Sequence, residues 1–201
     1  MKISADTIEV IECFLRRYEK DYIFFTSSFY FENISQLNLR KLLVDKIIDN
    51  AEFLNEDLSA YILDLSTWFK SREDNFDELQ RNYNFRYRIK KFEVVIEKLN
   101  HNLNSHKYVS KILNDLFGER IILDNVIHKE QEIKKLLDNL KEESIIYRYY
   151  YRSDGNYHAF HCYLQDTNNH LPWEFQIWDS SNAVANYLEH DRHERERKEK
   201  G

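Results

Sequence analysis

Apolar residues recur at three- and four-residue intervals through the first third of the chain and then give way to strict alternation. Over residues 4–22, Ile8, Ile11, Phe14, Leu15, Tyr18 and Tyr22 fall on one helical face, with Ser4 or Asp6 available as N-cap. The same spacing predicts helices over 38–54 (Leu39, Leu42, Leu43, Ile47, Ala51, Leu54) and 57–69 (Leu58, Tyr61, Ile62, Leu65, Trp68, Phe69). The aromatic run between the first two, YIFFTSSFYFENIS, fits helix or strand equally. From Asn84 the period changes. FRYRIK alternates as a strand does, setting Arg86, Arg88 and Lys90 on one side and Tyr87 and Ile89 on the other. A helix with Phe92, Val95, Ile96 and Leu99 as its stripe follows. NDLFGERIILDN then reads as a bend at Gly118 and a short strand over 121–123, flanked by Asp115 and Arg120. A helix through Ile127, Ile133, Leu136, Leu137 and Leu140 leads into SIIYRYYY, a further strand.

Residues 155–178 read as two strands that each turn polar residues onto one face. Successive strand side chains alternate sides, so Tyr157, Ala159, His161 and Tyr163 oppose Phe160, Cys162 and Leu164. In the second strand Trp173, Phe175 and Ile177 are the apolar set, and Glu174 and Gln176 share the other face. That polar face is either the floor of a site or a face that meets solvent. The last segment, from Ser180 or Ser181 onward, reads as a solvated helix carrying acid-before-base pairs such as Asp191 with Arg195. Helices alternating with strands, then strands in succession, predict an α+β fold: a mixed sheet flanked by helices. A helical N-terminal region over 1–80 and a core domain over 81–201, including the C-terminal helix, complete the expected organisation.

Composition narrows the class. At 42% hydrophobic and 15% aromatic residues, the chain is not disordered. No apolar run approaches the roughly 18 residues of a membrane span, and MKISADTIEVIE has acidic residues where a signal peptide needs an apolar stretch, so a cytoplasmic protein without membrane contact is expected. A net charge of −6 argues against wholesale binding of nucleic acid, DNA included, while leaving room for a local basic patch. Arg16, Arg17, Lys20, Arg40 and Lys41 read as solvated helix faces. Cys13 and Cys162 match no disulfide framework and no metal spacing. The one charge pattern that solvation explains poorly is Arg86, Arg88 and Lys90: three like charges on one strand face repel unless an anion or carboxylates sit there.

Taken in order, Arg88, Lys90, Lys98, Asp115, Gly118, Arg120, Tyr157, His161, Glu174, Gln176 and then Glu189-His190 form a set that resembles the RelA/SpoT-type synthetase domain over residues 84–198. In that family pyrophosphate passes from ATP to the ribose 3′-hydroxyl of GDP or GTP. The resemblance implies that Arg88 and Arg120 sandwich the adenine and that Lys90 and Lys98 bind phosphate, with Arg86 adding to the same positive face. It implies that Asp115 is a Mg²⁺ ligand and that Glu174 assists the metal or takes the proton of the attacking hydroxyl. On the acceptor side it implies that Tyr157 stacks on the base, that His161 contacts phosphate, that Gln176 supports the floor, and that His190 lies on a closing helix. With no hydrolase or regulatory region, the chain looks like a small alarmone synthetase or a related single-domain toxin.

Four positions depart from the family pattern. Val94 stands where a serine usually lies between the two lysines, Trp178 replaces an arginine, Arg152-Ser153-Asp154-Gly155-Asn156 replaces a Pro-Lys-x-Asn-Gly run, and Ala159 replaces a serine. The donor half is thus better kept than the acceptor half. Beside GDP or GTP, an adenine nucleotide or the 3′ end of tRNA fits as acceptor, the last requiring a basic surface from Arg16, Arg17, Lys20, Arg40 and Lys41. A degenerate nucleotide-binding module is the non-enzymatic alternative. The helical first third is open to core packing, oligomerisation or, in a toxin, a neutralising antitoxin protein.

Overall fold

The computed structural model describes residues 6–32, 37–72, 76, 79–80, 83–189 and 192. Five strands, β1 (Arg86–Ile89), β2 (Phe117–Leu123), β3 (Arg148–Asp154), β4 (Tyr157–Leu164) and β5 (Trp173–Asp179), form one sheet in the order β1-β2-β5-β4-β3. The β2–β5 pair is parallel and the other three neighbouring pairs are antiparallel, so the sheet is mixed, as the strand and helix order predicts. β3 and β4 close as a hairpin. Asp154 pairs with Tyr157, which leaves Gly155 and Asn156 as a two-residue turn, and Gly155 supplies the positive φ of 58° that such a turn requires.

One face of the sheet is buried under helices. Phe14, Tyr18, Tyr22 and Phe25 of α1 (Thr7–Glu32) lie against the apolar side chains of the central strands, with Tyr18 5.7 Å from Phe117 and 5.4 Å from Trp173 between ring centres. Tyr61 and Phe69 of α3 (Ser59–Lys70) complete this layer. The Trp173 indole donates to the Tyr61 hydroxyl at 2.7 Å, and Phe69 lies 4.6 Å from Phe117. Ile133, Leu136, Leu137 and Leu140 of α6 (Glu130–Glu142) are buried, and the Tyr149 hydroxyl of β3 donates to Asp138 of that helix at 2.7 Å. Two further helices, α4 (Phe92–His101) and α5 (Val109–Ile112), link β1 to β2.

Several boundaries differ from the sequence reading. The aromatic run that fits helix or strand continues α1 to Glu32, because Phe25 and Phe29 extend the Tyr18–Tyr22 stripe onto the core and stack at 5.9 Å. The helix expected over 38–54 is reduced to α2 (Val44–Ile47). Leu43 before it is extended and bridged to Tyr108, and a π-helical turn over Phe53–Leu58 then runs into α3. Gly118 lies inside β2, not at a bend, in register with Arg88 on one side and Glu174 on the other. After β5, the Asp179 carboxylate accepts from the Ser181 N–H, and the chain turns into a helix over 183–189. The ion pairs expected beyond it, and His190, lie outside the described residues.

Beneath β2, on the helix-covered face, Glu119 is 2% exposed and paired with Arg17 of α1. Arg17 also holds Asp21 at 2.7 Å, Asp21 pairs with Arg72, and the Arg17 guanidinium lies 5.5 Å from the Phe85 ring centre. Burial pushes the Glu119 carboxyl up to about 7, outweighing the pull of Arg17. A carboxyl raised on folding stabilises the fold fully below its unfolded value, near 4.5, and that contribution is lost as pH rises through about 7. Glu119→Gln should therefore flatten the profile. The stability difference between wild type and variant, measured by denaturant unfolding, should shift by up to about 3 kcal/mol between pH 4.5 and 8. A constant difference across that range would mean that Glu119 ionises normally in the fold.

Candidate active site

The uncovered face of the sheet carries the polar side chains in three cross-strand rows. Residues directly opposite on paired strands share a face. One row reads Arg88, Gly118, Glu174, Tyr163, Arg148 from β1 to β3. The next reads Arg86, Arg120, Gln176, His161, Tyr150, and a shorter third reads Ile122, Trp178, Ala159, Arg152. Glu174 sits in the middle strand. Arginines stand toward both sheet edges.

Glu174 is 8% exposed and hydrogen-bonded at both carboxylate oxygens. Tyr163 donates its hydroxyl to Oε1 at 2.7 Å, His161 Nδ1 lies 2.9 Å from the same oxygen, and Gln176 donates to Oε2 at 2.7 Å. Burial alone pushes this carboxyl up. The hydrogen bond and charge of His161, with the Tyr163 hydroxyl, outweigh burial and the repulsion of Asp115, and hold the group below the ordinary glutamate value. An ionised carboxylate only accepts, so Nδ1 of His161 carries the hydrogen facing it, and Nε2 is left to Tyr157, whose hydroxyl is 3.1 Å away. From the covered face, Tyr18 donates to the Glu174 backbone carbonyl at 2.9 Å. Next to Glu174, Gly118 leaves the face open. A Cβ there would lie 3.9 Å from Oε2 in ordinary contact, so a methyl fits and a longer side chain would lie over the carboxylate.

Asp115, two residues ahead of β2, is clamped between two lysines. Lys90 bonds one carboxylate oxygen, and Lys98 of α4 bonds the other at 2.7 Å. Burial opposes the Asp115 charge, but Lys98 and Lys90 together hold the carboxyl well below its ordinary value. Lys90 is 4% exposed, and burial pushes its ammonium down to about 8 despite the support of Asp115. Arg86 and Arg88 project from the same strand into solvent.

Arg120 and Tyr157 are arranged differently from what the resemblance implies for an open stacking site. The Arg120 guanidinium lies over the Trp178 ring, 3.6 Å from its centre, and donates Nε–H to Gln176 Oε1 at 3.0 Å, an oxygen that also accepts from the Trp178 indole at 3.1 Å. The Tyr157 ring is 4% exposed, edge-on to Trp178 at 5.9 Å, with the Arg152 guanidinium 5.0 Å from its centre. Buried Asn186 bonds both backbone groups of His158 at 2.9 and 2.8 Å and so ties the helix over 183–189 to β4, with Tyr187 5.0 Å from Trp178.

The structure therefore brings Arg86, Arg88, Lys90, Lys98, Asp115, Arg120, Tyr157, His161, Glu174 and Gln176 to one side of the sheet, with Lys98 and Asp115 reaching it through Lys90. It adds side chains that the sequence reading did not single out: Tyr163, bonded to Glu174, and Arg148, Tyr150 and Arg152 on β3. The alternation in Arg148-Tyr149-Tyr150-Tyr151-Arg152 was the available signal for those three. Of the five N-terminal basic residues, the three arginines are engaged by other side chains. Arg16 pairs with Glu12 and Glu143, Arg17 with Glu119 on the covered side, and Arg40 bonds Gln165 at 2.8 Å and stacks on Tyr147. Lys20 and Lys41 are exposed.

Asp115 and Glu174 are carboxylates, oxygen donors of the type that Mg²⁺ takes, and their charges act on each other. Among the described residues no group of three or more His, Cys, Asp or Glu comes together to hold an ion. Two carboxylates on a cationic face fit an ion whose remaining ligands are phosphate oxygens and water. Among the described residues, no helix is long and apolar enough to cross a membrane.

No family model matches the sequence, and no curated protein matches it. Among solved structures, small alarmone synthetase 2 from Bacillus subtilis shares 20% identity, covering 70% of this chain and 82% of its own, with a TM-score of 0.42. Small alarmone synthetase 1 from the same organism shares 16% identity over 68% of this chain and 78% of its own at a TM-score of 0.41, and its structure bound to its product pppGpp gives 15%, 75%, 81% and 0.37. The chain is similar to these structures to that extent, and its chemistry rests on its own side chains.

Proposed function

We propose that the chain is an ATP-dependent pyrophosphotransferase that moves the β,γ-pyrophosphate of ATP to a ribose 3′-hydroxyl, with GDP or GTP as acceptor. The observation that carries this reading is one sheet face with a buried carboxylate, bonded by three side chains, at its centre and cationic side chains toward both edges, in a chain whose net charge is −6. A face of that kind suits two polyanions that meet over the carboxylate. A single-anion site needs one cationic edge.

On the β1–β2 side, Arg86, Arg88 and Lys90 attract the ATP phosphates, and the planar guanidiniums of Arg88 and Arg120 are suited to contact with the adenine. Lys90 and Lys98 pass from Asp115 to phosphoryl oxygens as the nucleotide enters, which answers the repulsion among like charges on β1. Glu174 accepts the hydrogen bond of the acceptor 3′-hydroxyl and orients it toward the β-phosphorus. A bond forms between the 3′-oxygen and that phosphorus, the bond to the α,β-bridging oxygen breaks, AMP leaves, and the hydroxyl proton passes to Glu174. His161, fixed by Glu174 and Tyr157, holds the carboxylate in place. Asp115 and Glu174 would hold Mg²⁺, which when bound offsets charge on the phosphoryl oxygens.

Incubation with γ-labelled ATP, Mg²⁺ and, separately, GDP, GTP, ATP alone and bulk tRNA should place label on the guanine nucleotide. Label on an adenine nucleotide or on tRNA would reassign the acceptor, and ATP binding without transfer would make the chain a binding module. Glu174→Gln should lower kcat about a hundredfold or more, with the ATP dissociation constant within about threefold of wild type by equilibrium dialysis; equal loss of both would assign Glu174 to binding.

Lys90 gives a second test. Its ammonium carries charge below about 8 and loses it as pH rises through that value, so kcat/KM for ATP should fall above about pH 8. Lys90→Arg, whose guanidinium stays charged, should show no such fall at whatever absolute rate it retains. An unchanged descent in that variant would assign it to another group.

A further inference from the structure

We infer that the acceptor nucleotide is held on β3, with its base stacked on Tyr150 and its phosphates taken by Arg148 and Arg152. This rests on the reading of the face as a two-substrate site. The tyrosine expected to stack on the acceptor base, Tyr157, is 4% exposed: its ring packs edge-on to Trp178, and its hydroxyl lies 3.1 Å from Nε2 of His161. Tyr150 has the opposite character. It is 41% exposed, although it stands on the reaction face in register with His161.

The ring of Tyr150 is fixed, as a stacking platform must be. It stacks on the His161 imidazole, with centres 5.0 Å apart and planes 5° from parallel, and its hydroxyl lies 3.3 Å from that of Tyr163. His161 and Tyr163 both bond Glu174, so the platform is coupled rigidly to the carboxylate at the centre of the face. Arg148 and Arg152 lie two residues to either side on the same strand face. The first rests 4.3 Å over the Tyr163 ring, and the second is paired with the exposed Asp154. Arginine, aromatic, arginine along one strand is the arrangement that binds a base by its π face and the attached phosphates by charge. β3 is the edge strand farthest from β1, so a nucleotide here leaves the β1–β2 side to ATP.

The test is equilibrium dialysis of labelled GDP and of labelled ADP against the full chain with a saturating non-hydrolysable ATP analogue and Mg²⁺, alongside the transfer assay. For Tyr150→Ala the dissociation constant and the acceptor KM should rise about tenfold or more, with KM for ATP within about twofold. Tyr150→Phe, which keeps the ring, should match wild type, and Tyr150→Leu should behave as Tyr150→Ala. Unaltered thermal melting confirms that the exposed substitution leaves the fold intact. Acceptor binding that depends on Tyr150 in a protein that transfers nothing would overturn the proposed reaction and keep this site. Transfer at unchanged acceptor KM in Tyr150→Ala would overturn the site and keep the reaction. No binding of GDP or ADP to wild type would overturn the site as well.

Discussion

Keeping a carboxylate ionised in the middle of a sheet face is the constraint on which this structure depends. A buried carboxylate is expensive unless every lone pair finds a donor, and Glu174 receives donors from three side chains on two strands. Each donor is itself held. Gln176 also accepts from Arg120 and Trp178, His161 meets Tyr157 and Tyr150, and Tyr163 meets Tyr150. The pairing of β4 with β5 in one register delivers Tyr163 and His161 to Glu174 and Gln176, and a slip of β4 by one residue would turn Tyr163 and His161 to the helix-covered face, away from Glu174. The aromatic layer of α1 and α3 on Trp173, Phe175 and Phe117 makes such a slip costly, so the core behind the sheet specifies the site in front of it.

That division explains what was legible in the sequence. The alternation of residues 157–164 and 173–179 gave the two central strands and the side on which His161, Glu174 and Gln176 stand, because strand periodicity needs no partner to be read. The same holds for Arg86, Arg88 and Lys90. Gly118 was misread as a bend because glycine in isolation signals a turn. In the fold its lack of a side chain opens the face next to Glu174, a cross-strand relation that no local window contains. The helix expected over 38–54 failed for a related reason: Leu43 takes an extended conformation to bridge Tyr108, a partner far along the chain. Tyr150 and Arg152 were passed over inside a run of tyrosines, and only the pairing of β3 with β4 shows which of them face Glu174.

The resemblance named the residue types but not their present engagements. Arg120 stacks on Trp178, at the position where the family pattern has an arginine. A second arginine there would repel Arg120, whereas the indole supports it from below and shares the Gln176 oxygen with it. The replacement therefore fixes one guanidinium instead of adding another. Tyr157, Ala159, Ile122 and Trp178 form a small apolar cluster at this end of the face, which draws the Tyr157 ring inward. With Tyr157 in that cluster, an exposed aromatic of this face, Tyr150, stands on the neighbouring strand.

Charge segregation through the sheet completes the picture. The covered face contains its own buried acid, Glu119, one residue from Arg120 and on the opposite side of β2. Arg17 pairs with it from behind and is shielded by Phe14 and Phe85. The arginines of α1 are thereby occupied by carboxylates on the covered side, while those of β1, β2 and β3 line the uncovered one. A chain of net negative charge can in this way present a positive face of limited size.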